Sequence, residues 1–111
     1  MLEDELRSVI ERFNERARTD PKLRSELEGK TRGVFIELTD AEGYHFTLRD
    51  NQIQEFSKGV LPNPDIHITT DSATLEALLK KEMGPMKALV TKRLRLTKIS
   101  MEDLSTIRKF F

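Results

Sequence analysis

PDIHITTDSATLEALLKKEMGPMKALVTKRLRLTK, residues 64–98, switches its hydrophobic period twice. Ile66 and Ile68 alternate with polar neighbours, so DIHITT reads as a strand with those two side chains inward. Asp71 then caps a helix whose apolar positions are Leu75, Leu78, Leu79 and Met83. Gly84 is the stop signal of that helix, and Pro85 opens a shorter one, PMKALV. LRL (94–96) returns as a strand. Strand, helix, helix, strand in one run implies a sheet with helices packed on it, which places the chain among α+β proteins.

The flanking sequence extends this pattern. Leu2, Leu6, Val9, Ile10, Phe13 and Ala17 fall at spacings of three and four, the apolar stripe of an amphipathic helix over about residues 2–18. Asp20-Pro21 reads as an N-cap and first helical residue, with Gly29 as the stop of a short second helix. From residue 33 the period becomes two. GVFIEL and YHFTLR, separated by DAEG, form a hairpin, and Arg49-Asp50-Asn51-Gln52 turns into a weaker strand around Ile53–Phe56. Ser100-x-x-Asp103 resembles a capping box, with Ile99 and Leu104 as its hydrophobic staple. The last helix presents Leu104, Ile107 and Phe110 on one side. The expected order is two helices, a meander of strands, two helices, one returning strand and a terminal helix.

Composition limits the function. A chain of 111 residues suits one domain, 1–111, and can bury a core without metal or disulfide. It has no cysteine, which excludes disulfides, thiolate catalysis and cysteine metal sites and suits a cytoplasmic setting. No apolar run approaches the ~18 residues of a membrane span, and MLEDELRSVIERF is too acidic for a signal peptide. His45 and His67 are the only histidines, and both fall at outward strand positions, where a solvated side chain is the ordinary role. No carboxylate at ligand spacing joins them into a metal site. The five glycines form neither GxGxxG nor a Walker loop, so no cofactor is implied. These features describe a protein that is not an enzyme.

GPMKALVTKRLRLTK carries Lys87, Lys92, Arg93, Arg95 and Lys98 without one acidic residue, inside a chain whose formal charge is zero. Nucleic-acid binding would call for aromatic residues interleaved with the cations, and this run has none. Solvated strand face and attraction to anionic headgroups remain, the latter worth roughly 1 kcal/mol per cation near a membrane.

Residues 64–98 also resemble the sterol carrier protein 2 family, the nonspecific lipid-transfer domain. The likeness rests on Pro64-Asp65, the Thr/Ile strand Ile66–Thr70, and Asp71 with Leu75 and Leu78. It continues through Gly84-Pro85, Met86-Lys87-Ala88 and the basic-apolar strand Arg93-Leu94-Arg95-Leu96. The preceding hairpin and N-terminal helices occur in the family's order. The chain departs by having Lys92 and Lys98 where glycines often flank that strand, and it lacks the peroxisomal address of some eukaryotic members. The resemblance implies a five-stranded, mainly antiparallel sheet covered by helices on one side. It implies an apolar tunnel that takes fatty acids, fatty acyl-CoA or sterol- and isoprenoid-like lipids, with the terminal helix as a lid.

Within that framework the inward faces assign the tunnel lining. Leu6, Ile10 and Phe13 come from the first helix and Phe46 from the hairpin. Leu78, Met83, Met86, Leu89 and Val90 come from the middle helices. Met101, Leu104, Ile107 and Phe110 come from the C-terminal segment. Lys87, Lys92, Arg93, Arg95 and Lys98 are the expected contacts to headgroups or an anionic membrane surface. The rival reading is an interaction module of the same fold, with a filled core and a homodimeric or partner-docking role.

Overall fold

Three consecutive buried residues, Val34, Phe35 and Ile36, dictate where their strand must lie. A strand apolar on both faces belongs at the middle of a sheet. The computed structural model, which describes residues 2–111, places it there. Strands β1 (Arg32–Leu38), β2 (Tyr44–Arg49), β3 (Gln52–Lys58), β4 (Ile66–Thr70) and β5 (Arg95–Lys98) form one sheet in the order β3-β2-β1-β4-β5. β1 pairs with β4 in parallel, and every other pairing is antiparallel. The sequence suggests a simple meander, but β4 leaves it. The segment 59–65 crosses to the far side of β1, where Asp65 accepts the Gly33 N–H at 2.7 Å and donates its own to the Gly33 carbonyl at 2.9 Å.

The turns follow local chemistry. Asp50 and Asn51 both have positive φ, 55° and 63°, the conformation that lets a two-residue turn match strand twist. Gly43 ends the first hairpin loop because nothing larger fits. A Cβ there would lie 2.3 Å from the Ile36 carbonyl oxygen and 3.1 Å from the Phe35 ring.

Helices α1 (Leu2–Thr19), α2 (Pro21–Leu27), α3 (Ser72–Leu79), α4 (Pro85–Val90) and α5 (Leu104–Phe110) complete the structure. Asp20 caps α2 by accepting from the N–H groups of Lys22 and Leu23, and Asp71 caps α3 through Thr74. Three boundaries differ from expectation. α3 stops at Leu79 rather than near Met83, because Lys81 turns left-handed at φ 64° and Glu82 N–H closes back on the Ala77 carbonyl. Gly84 therefore is not a helix stop but the N-cap residue of α4, with φ −77°. β5 begins at Arg95, leaving Leu94 buried in the turn before it. Ser100 does not cap: its hydroxyl donates to the Asp103 carboxylate at 2.9 Å, and residues Met101–Asp103 form a 3-10 turn ahead of α5.

The inward side chains of the sheet, among them Val34, Ile36, Phe46, Leu48, Ile66 and Ile68, pack in one core with Leu6, Phe13, Leu75, Leu78 and Phe110 of the helices.

Candidate functional site

Three apolar spaces meet at α5. A groove of ≈ 450 Å³ lies between α4, β5, the 3-10 turn and α5. Its walls are Pro85, Met86, Leu89, Leu94, Leu96, Met101, Leu104 and Ile107, with Ser105 and Arg108 at the rim. An interior slot of ≈ 20 Å³ lies between sheet and helices, lined by Phe13, Val34, Phe46, Leu48, Ile53, Ile66, Thr106, Ile107 and Phe110. That is room for about one water. A cleft of ≈ 200 Å³ opens on the far side, between α1, α3 and the end of α5, over Phe13, Phe110 and Phe111. Ile107 borders both groove and slot, and Phe110 borders both slot and cleft. Phe13 of α1 also borders slot and cleft, so α5 and this one α1 side chain together form the partitions between the three.

The partition is an aromatic one. The Phe110 ring sits 5.8 Å from Phe13, 5.6 Å from Phe46 and 5.2 Å from Phe111, centroid to centroid. Such tilted and edge-on pairs contribute about 0.5–1.5 kcal/mol each beyond their burial. One polar atom in this region lacks a partner: the Thr106 hydroxyl is buried in the slot wall without a hydrogen bond.

The sequence-assigned lining residues separate accordingly. Phe13, Phe46, Ile107 and Phe110 line the slot, and Met86, Leu89, Met101, Leu104 and Ile107 line the groove. Leu6 and Ile10 lie in the packed core under α1, while Leu78 borders the cleft. Met83 is half-buried against the core, and Val90 is 76% exposed and outside the groove. Met86 and Met101 are 53% and 84% exposed, so the groove's lip is apolar and accessible. Methionine suits such a lip because its flexible, polarizable chain adapts to irregular ligands.

Of the five cations expected at headgroups, Lys87, Lys92, Arg93, Arg95 and Lys98 are all exposed, and Lys98 also reaches the Pro64 carbonyl at 2.8 Å. They lie on α4, on β5 and in the turn between them, and none lines the groove.

At the other end of α5, the Asp103 carboxylate is only 2% exposed yet charged. Arg32 Nε approaches it at 2.9 Å and Lys30 Nζ at 3.1 Å. Burial pushes its pKa up, but the hydrogen bonds from Arg32, Lys30 and Ser100 together hold it below the ordinary aspartate value. Spacing alone marks Asp103 as a cap. Its partners lie some 70 residues away, so only the fold reveals it as an anchor.

His45 and His67 both lie on the outer sheet face, in register with Phe35 between them. His67 stacks on Phe35 and bonds Glu37 at 2.7 Å, while His45 Nδ1–H donates to the Gly59 carbonyl at 3.0 Å. Among the described residues no group of three or more His, Asp or Glu gathers as a metal site. No helix among them is long and apolar enough to cross a membrane.

An α+β sheet with helices around an apolar region is the class that this fold defines. The chain matches the SCP-2 sterol transfer family over residues 10–102, and it belongs to that family. No curated protein matches it. Among solved structures, a sterol carrier protein 2 is 15% identical with a TM-score of 0.68, over 96% of this chain and 90% of that one. Sterol carrier protein 2 like 2 from Aedes aegypti is also 15% identical, TM-score 0.61, over all of both chains. A sec-alkylsulfatase from Pseudomonas sp. matches at 15% identity and TM-score 0.62, covering 78% of this chain. This chain spans only 14% of that enzyme. Lipid binding and transfer in the general sense is therefore the family's function, and the sheet's mixed, mostly antiparallel order is the family fold.

Proposed function

We propose that residues 1–111 are a single non-catalytic domain that binds fatty acids, fatty acyl-CoA or sterol- and isoprenoid-like lipids and carries them through the cytoplasm. The observation that supports this most directly is the position of α5. Its Ile107 stands between a 450 Å³ apolar groove and the slot, and its Phe110, with Phe13 of α1, between the slot and the cleft. Ligand sites are typically apolar hollows of about 300–1,000 Å³, a size that the groove has and the slot has not. In this reading a chain enters along Met86, Leu89, Met101 and Leu104, and displacement of α5 joins groove to interior. Each methylene buried contributes about 0.8 kcal/mol, so a modest chain reaches micromolar affinity. Lys87, Lys92, Arg93, Arg95 and Lys98 meet anionic headgroups while the lipid is exchanged at a membrane.

Titration with a fluorescent fatty acid tests the reading, with Leu104→Glu as the blocking variant and circular dichroism to verify its fold. Saturable binding weakened at least tenfold by the substitution is expected; absence of saturable binding by the unsubstituted protein sinks it. Association with phosphatidylserine vesicles should fall steeply between low and physiological salt, because exposed charges are screened over about 10 Å. The small interior slot favours the rival, a filled-core interaction module. Concentration-dependent sedimentation together with no bound lipid in native mass spectrometry would establish that rival instead.

A further inference from the structure

The two edges of the sheet are finished differently. The β3 edge is closed: Asn14 of α1 bonds the main-chain carbonyl and N–H of Ile53, at 3.1 and 2.7 Å. Further along, a bulge with Glu55 at φ 58° breaks the register of the same strand. At the other end of the order stands β5, which pairs with β4 alone. Among the described residues nothing else bonds the main chain of residues 95–98 from the open side. Arg95, Thr97 and Lys98 are exposed and Leu96 is half-buried. Such an edge presents unpaired N–H and C=O groups to any extended chain. Two features beside it select the chain. On the inner side of the strand lies the 450 Å³ groove, with Leu96 of β5 and Leu94 just before it as one wall. Met86 and Met101, 53% and 84% exposed, form its lip, and none of its lining residues is acidic. On the strand and at its start stand the exposed cations Arg93, Arg95 and Lys98, in a run from Gly84 to Ser100 that holds no acidic residue.

We propose that the open edge of β5 docks an acidic, extended segment of a partner protein, which adds to the sheet as a further strand. Its main chain pairs with β5, and every second side chain turns inward to the groove. The alternate side chains face outward, where carboxylates meet Arg93, Arg95 and Lys98. Main-chain pairing supplies affinity in this mode, and the groove and the cations supply the choice of sequence. The same cations exclude a second copy of this chain. Antiparallel pairing of β5 with itself sets Arg95 against Lys98, and like charges directly opposite destabilise a strand pair. An anionic membrane would answer the cations but leave the edge to water, whereas an acidic strand satisfies both. The inference goes beyond the lipid reading and does not depend on it: Met86, Leu89 and Leu96 seat side chains here in place of an acyl chain.

The test measures fluorescence anisotropy of a fluorescein-labelled octapeptide in which glutamate alternates with valine and leucine. Its controls are the lysine counterpart and the same peptide N-methylated at alternate amides, made in both registers. The glutamate peptide should saturate the intact chain and slow amide hydrogen exchange within residues 95–98. N-methylation in one register should weaken it at least tenfold, because the lost N–H groups leave acceptors of β5 unpaired. The double variant Arg93→Glu, Arg95→Glu, at two exposed positions that leave the core untouched, should weaken the glutamate peptide about tenfold and gain binding of the lysine peptide. Met101→Asp, at the exposed lip, should weaken the parent peptide without disturbing the fold. If the peptide fails to saturate at low salt, or both N-methylated registers bind like the parent, the inference is overturned. Phosphatidylserine vesicles that bind through the same two arginines, with no peptide binding, would assign the cations to a membrane and overturn it equally, while lipid binding stands.

Discussion

Lys92 shows how one residue can look like a surface charge and still carry a backbone constraint. It lies just past α4 at φ 63°, and the N–H groups of Arg93 and Leu94 both close on the Ala88 carbonyl behind it. That is the helix-ending turn in which glycine is the least strained residue. The glycine that the family resemblance leads one to expect here would meet this conformation without strain. A lysine in the left-handed region costs about 1 kcal/mol. Lys92→Gly is therefore expected to raise the unfolding midpoint in urea by the equivalent of roughly 1 kcal/mol, offset in part by the greater freedom of the unfolded glycine chain. An unchanged or lower midpoint would show that the lysine side chain contributes more than the backbone loses. The substitution also removes one of the five proposed headgroup cations, so stability and vesicle binding should move in opposite directions.

At the scale of elements, the exposed edge of β3 is closed by a side chain of α1. Asn14 accepts the Ile53 N–H at 2.7 Å and donates to the Ile53 carbonyl at 3.1 Å, standing in for a neighbouring strand. Gln52 Nε2 returns a bond to the Asn14 carbonyl at 3.3 Å. An unpaired edge invites pairing with another chain, and this one residue both fixes the helix against the sheet and blunts the edge. Asn14→Ala should cost about 2 kcal/mol, since a part-buried donor and acceptor are both left unmet. Urea denaturation measures the loss, and light scattering on heating should show aggregation at lower protein concentration than the parent. A cost below a few tenths of a kcal/mol would mean that water replaces the side chain fully. The apolar stripe of α1 was legible in its spacing, but Asn14 looks like any polar position beside it. Its partner lies 39 residues away, so no local pattern could have marked it.

For the whole molecule, the long-range tie is Asp103 with Lys30 and Arg32, which fastens the start of α5 to the link between α2 and β1. Because the folded-state pKa of Asp103 lies below its unfolded value near 3.8, its contribution is fully present above that value. It is lost as pH falls through the depressed folded pKa, where protonation breaks both ion pairs. Stability should thus decline below about pH 4, more steeply in the parent than in Asp103→Asn. The asparagine variant should also lose about 3 kcal/mol near neutral pH, because two cations lose their buried partner. Parallel acid slopes in parent and variant would remove Asp103 as the cause.

The sequence by itself determined the elements and their faces. Alternation and 3.6-residue periodicity are local, so the hairpin, the Asp20 and Asp71 caps, the α1 stripe and the succession of the 64–98 segment could be read directly. The family likeness is carried by that same local order. Only the tertiary structure decided that β4 pairs with β1, that α3 ends at Leu79 ahead of a left-handed Lys81, and that the assigned apolar residues divide among groove, slot and cleft. It alone brought Arg12, Arg16 and Lys81 to the rim of the cleft and Asp103 to Arg32. Periodicity records which side of an element faces inward, because burial of apolar area repeats along the chain. It does not record which inward residues meet, or whether they fill the space between them, because those depend on distances set by packing between segments far apart in sequence.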